Sequence, residues 1–123
     1  MNQILLVGVG GFIGAILRFL TSGWAQKYAS SFPLGTLSVN FAGTLLLGFI
    51  MYSTEYRGLF DADTRIFLTI GVLGAYTTMS TFGYESFRLL EQNQYWLFAL
   101  NIFGTVVLML AAIFIGRMIA LNM

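Results

Sequence analysis

Four apolar stretches, each around twenty residues long and separated by short polar breaks, constrain this chain more than any other feature of its sequence. They run from about Ile4 to Leu20, Leu34 to Tyr52, Arg65 to Leu90 and Tyr95 to Ile119. The hydrocarbon core of a bilayer is about 30 Å thick, and roughly 20 helical residues cross it. In hydrocarbon every backbone N–H and C=O needs a partner inside the protein, and a helix supplies one within the segment itself. The expected architecture is an all-α integral membrane protein of four transmembrane helices, a single domain over residues 1–123. Composition agrees, with 58% apolar and 9% charged residues against about 25% charged in an ordinary soluble domain.

The same composition removes whole classes of function. Without histidine or cysteine there is no imidazole base, no thiolate, no disulfide and no soft-metal ligand set. The embedded hydroxyls lack an evident base, so an enzyme is not expected. A net charge of +1 provides no basic surface for nucleic acid. Met1-Asn2-Gln3 leads directly into the first apolar stretch, with no Lys or Arg ahead of it and no small-residue cleavage pattern behind it. That stretch is expected to be a retained helix in a multi-pass protein of the cell's inner (plasma) membrane.

The breaks are placed by polar and turn residues. Trp24 and Tyr28 suit the interface, and Arg18 is near enough to the end of the first span to snorkel. A loop around Gln26 to Pro33 leads into the second span through Pro33, and a second loop, Ser53 to Asp63, carries most of the acids. Four spans bring both termini to one side. Arg57, Arg65 and Arg117 then face Arg18, Lys27 and Arg88 across the membrane, and the positive-inside rule returns no orientation. The balance suits a chain that inserts both ways up and pairs antiparallel about a two-fold axis in the membrane plane. It equally admits a fixed topology set by weaker cues.

Polar residues inside spans mark helix contacts or a pathway. Thr36, Asn40 and Thr44 share one face of the second span, and Asn101 and Thr105 one face of the fourth. Taken singly, each stripe reads more simply as interhelical hydrogen bonding. The third span concentrates Gly71, Gly74 and the run Thr77-Thr78-Met79-Ser80-Thr81 at mid-depth, and a break is expected there. An unwound segment would expose carbonyls able to hold a hard cation. Phe82 follows, with a ring edge that is electropositive and can face a small anion. In the first span Gly10 and Gly14 form a GxxxG, expected to make a close helix contact. Ile13 and the absence of a preceding strand exclude a dinucleotide fingerprint.

Three segments together resemble the Fluc family, also called CrcB, of bacterial fluoride channels: Gly10 to Ala15 with Arg18, Gly35 to Asn40, and Gly71 to Phe82 with Glu85. The resemblance extends over essentially the whole chain and implies a dual-topology antiparallel homodimer that exports fluoride passively. It further implies a structural sodium ion held by the third-helix carbonyls of Gly74 and Thr77 from both copies. The pore asparagine maps to Asn40, the second pore phenylalanine to Phe82, and the fourth-helix polar track to Asn101 and Thr105. Ser80 and Thr81 join this ion pathway, and Arg18 and Glu85 fall in a vestibule. Met79 stands where the family usually has phenylalanine. A small multidrug exporter would need an acid in the first span, which has none. A non-conducting accessory subunit is the remaining alternative.

Overall fold

Hydropathy predicts where a helix can lie in lipid, whereas hydrogen bonding and packing decide where it stops. The computed structural model describes residues 2–123 and contains four helical runs long and apolar enough to cross a membrane. Helix α1 is Gln3–Gln26, opened by Asn2, whose Oδ1 accepts the N–H of Ile4 at 2.8 Å. Helix α2 is Leu34–Arg57. The third run comprises α3 (Ala62–Arg65), a π-helical segment (Ile66–Leu73), α4 (Gly74–Tyr76) and α5 (Ser80–Glu91). Helix α6 is Tyr95–Leu121.

These helices overrun their predicted ends. Ser53–Arg57, expected as loop, is the last turn of α2, and the connection shrinks to Gly58–Asp61. The cause is tertiary. Arg57 at the end of α2 donates from Nε to the Ala120 carbonyl at 2.8 Å and from Nη2 to that of Leu121 at 3.1 Å. One cation thus satisfies orphan carbonyls at the C-terminus of α6, where a positive charge also complements the helix dipole. Arg117 lies 5.6 Å from the centre of the Tyr52 ring, and Tyr52 stacks on Tyr56, tying the same end together. Gly58 stops α2 in the left-handed conformation at φ 60°. Between α5 and α6 the chain turns at Asn93, φ 59°, while the N–H groups of Asn93 and Gln94 bond back to Leu90 and Leu89. That is a Schellman closure with asparagine in glycine's usual place.

Close approach of backbones, rather than interdigitation of large side chains, holds the helices together. The expected contact at the first-span GxxxG is present, and its partner is the third run. A Cβ on Gly10 would lie 2.7 Å from the Phe67 carbonyl oxygen, and one on Gly14 2.0 Å from that of Val72. Helices α2 and α6 run in the same direction and form the most extensive pair. Gly116 sits there against the Leu45 carbonyl and the Phe49 amide. Most large apolar side chains point outward, as in a protein whose solvent is lipid.

Candidate functional site

The α2 stripe predicted from spacing is a ladder, each rung bonded to another helical run. Thr36 donates to Glu85 Oε1 on α5, and Thr44 donates to Met109 Sδ on α6 at 3.2 Å. Between them Asn40 makes a two-point clasp: its Oδ1 accepts the N–H of Thr78 at 2.8 Å, and its Nδ2 donates to the Thr78 carbonyl at 3.0 Å. A side-chain amide here does for one residue what a neighbouring strand would do.

That clasp sits where α-helical backbone pauses. Thr77 has φ −88° and ψ 158°, an extended conformation, and α5 begins at Ser80. Thr78 Oγ1 accepts the N–H of Thr81 at 3.3 Å and donates to Thr81 Oγ1 at 3.2 Å, capping the start of α5. In a continuous α-helix the N–H of Thr78 would bond the Gly74 carbonyl, and that of Thr81 the Thr77 carbonyl. Both donors are committed elsewhere, to Asn40 and to the Thr78 hydroxyl. The two carbonyls predicted to face a cation are therefore among those at the interruption that lose their helical donors.

Asn40, Thr77, Thr78, Met79, Phe82 and Thr105 line an open, mostly apolar groove of about 400 Å³. Met79 is 78% exposed at its edge. Each hydroxyl has one proton, and those of the groove are spent: Thr77 on the Leu73 carbonyl, Thr78 on Thr81, Thr105 on Asn101 Oδ1. Asn40 has two amide protons and spends one on Thr78. Among the described side chains lining the groove, its second N–H is the uncommitted neutral donor.

Other predicted site residues fall outside this groove. Asn101 is only 2% exposed and gives its amide to Ser86 Oγ at 2.9 Å. Ser80 is exposed and Thr81 half-buried, both in the hydroxyl cluster at the start of α5. Glu85 borders a second, polar cavity of about 420 Å³ with Gln26, Ser30, Arg88 and Gln92. Arg18 is not among the residues lining that cavity; it is half-buried, with its Nε buried and without a hydrogen bond. Thr78 and Ser86 are the site residues that sequence reasoning missed. Thr78 was legible only as one hydroxyl in a run, and Ser86 had no signal beyond lying one turn from Phe82.

Among the described residues lining the groove none is a carboxylate, imidazole or thiolate; its polar side chains are a neutral amide and hydroxyls. Residues 5–117 match the family described as CrcB-like protein, Camphor Resistance (CrcB). The chain belongs to the CrcB family. Among CrcB relatives, the fluoride-specific ion channel FluC 3 of Methanosarcina barkeri is 54% identical over 122 residues, covering 99% of this chain and 92% of its own. FluC 1 of Methanosarcina acetivorans is 54% identical over 123 residues, covering 100% and 94%. More distantly, the fluoride-specific ion channel FluC of Geobacter metallireducens is 40% identical over 121 residues, covering 98% of each. The CrcB assignment thus takes in the groove, the polar cavity and all four membrane-capable runs.

Proposed function

We propose that this protein is a fluoride-specific channel that lets the anion leave the cell passively, along a path past Asn40, Phe82 and Thr105. The observation that carries the reading is the spare Asn40 side-chain N–H in a groove whose hydroxyl protons are all committed. A small, strongly hydrated anion needs such a donor to replace lost water. Support comes also from α5, whose first turn opens at the groove and brings the positive end of a helix dipole to mid-span. Phe82 adds a ring edge, and Met79 a flexible thioether that can move aside. The CrcB relatives named as fluoride-specific ion channels argue for the same ion.

The working unit in this reading is a homodimer of antiparallel copies in the plasma membrane. Gly74 is exposed, and a Cβ there would meet only the Thr69 carbonyl, at 3.6 Å. The protomer therefore does not require glycine at this position. Carbonyls stripped of helical donors are costly against lipid, and a second copy covering Gly74 and Thr77 removes that cost. The same pairing would bring four such oxygens together. Neutral carbonyl oxygens suit a hard monovalent ion, so the residues present fit sodium. When bound, sodium would supply fixed positive charge between the copies. The interruption at residues 77–79 is, on this view, the device that turns backbone outward for it.

The test is efflux from liposomes containing purified protein, with fluoride and chloride compared. Rapid fluoride loss with little chloride loss is expected. No anion flux would favour an accessory subunit, and proton-coupled export of organic cations a multidrug exporter.

A further inference from the structure

Asn101 and Ser86 lie behind the groove, on α6 and α5, and are almost completely buried at 2% and 3% exposure. Their hydrogen bonds run in one direction. Thr105 donates to Asn101 Oδ1 at 3.3 Å, Asn101 Nδ2 donates to Ser86 Oγ at 2.9 Å, and Ser86 donates to the Phe82 carbonyl at 2.7 Å. The run begins and ends on residues that line the groove, Thr105 and Phe82, and passes through protein that water does not reach. Ser86 is the link between helices: its hydroxyl accepts from α6 and donates within α5, so neither of its bonds can be kept by an apolar side chain.

We infer that Ser86 is a positioning residue for anion selection, setting through Asn101 the spacing of Phe82 and Thr105 and the direction of the Thr105 proton. The inference rests on the proposed channel function and goes beyond it, since Ser86 itself does not line the groove. In the arrangement observed, the Thr105 proton points at Asn101, and the groove meets the oxygen lone pairs of Thr105 rather than its donor. Without the Ser86 acceptor the Asn101 amide has a buried N–H to satisfy, which favours turning it. Turning it withdraws the acceptor from Thr105. The donor pattern and the width of the groove then change together, and both bear on which anion passes.

The experiment compares the fluoride and chloride efflux of wild type, Ser86→Ala, Ser86→Thr, Asn101→Ala and the double alanine variant in liposomes, per assembled channel. Ser86→Ala is expected to slow fluoride efflux roughly tenfold and to lower the fluoride-to-chloride ratio. Ser86→Thr keeps the hydroxyl and should restore both. Because the two residues form one brace, the double variant should be no worse than the worse single one. Wild-type rate and ratio in Ser86→Ala, or losses that simply add in the double variant, would overturn the inference. If Ser86→Ala fails to assemble, Asn101→Ala decides by the same ratio: a lowered ratio supports the brace, an unchanged one overturns it. Failure of wild type to conduct fluoride is a separate outcome, which removes the channel reading itself.

Discussion

Asn40 clasps Thr78 and, in the proposed channel, also donates to the anion, and its variants separate the two roles. Asn40→Asp keeps an acceptor for the Thr78 N–H but sets a carboxylate oxygen against the Thr78 carbonyl, now 3.0 Å from a donor. It also places negative charge beside an anion's path. Fluoride efflux is expected to be abolished while the protein still purifies as an assembled species; unaltered efflux would make Asn40 a packing residue only. Met79 and Phe82 lie three residues apart, Met79 at the edge of the groove. Phe82→Ile removes the ring edge and is expected to reduce efflux more than Met79→Ile does, while Met79→Phe stays active. Equal, normal flux in both isoleucine variants would leave the path to Asn40 and the hydroxyls.

At the scale of elements, the glycines divide into those the protomer needs and those it does not. Gly14→Ala forces a Cβ to 2.0 Å from backbone that cannot swing away, and overpacking of this kind costs about 1–3 kcal/mol. Gly74→Ala meets only ordinary contact at 3.6 Å within one copy. The expected contrast is a lower unfolding temperature in detergent for Gly14→Ala. For Gly74→Ala, a folded protomer with impaired dimerisation and flux is expected. A fully active Gly74→Ala would count against carbonyls at this point serving an interface. The start of α3 offers a pH test outside the spans. Asp61 caps that helix, and hydrogen bonds from the Thr64 side chain and then its backbone N–H hold the carboxyl below the usual carboxylate range. A depressed folded-state pKa means the cap stabilises α3 at neutral pH and is lost as pH falls through that lowered value. The Thr64 amide resonance should therefore titrate below the midpoint of an exposed aspartate.

For the whole molecule, the question is orientation. Three basic residues flank each side of the spans, but they are not equally free: Arg57 is tied to α6 carbonyls and Arg117 to Tyr52. Those bonds form after insertion, so they do not alter the bias at the moment topology is chosen. Dual insertion remains the expectation. Because Ser53–Arg57 is helical, the accessible site for a label is the shorter connection, where Leu59 is exposed. Leu59→Cys should react with impermeant reagent from both faces of the membrane. One-sided labelling would remove the antiparallel pair.

What the sequence alone determined is whatever depends on short-range chemistry: four membrane-capable helices, because apolar length needs no partner to be read, and the Gly10 and Gly14 contact, because spacing of four defines a helix face. The stripe of Thr36, Asn40 and Thr44 was legible for the same reason. Only the tertiary structure decided what each polar atom is bonded to. It showed Asn101 buried and bonded to Ser86 and Thr105, brought in Thr78 and Ser86, extended α2 through Arg57, and introduced π-helical turns over Ile66–Leu73. The physical reason is that a hydroxyl or amide has several possible partners and few protons. Which of them it serves is settled by neighbours far away in the chain, such as Asn101 for Ser86, and no local pattern contains that choice.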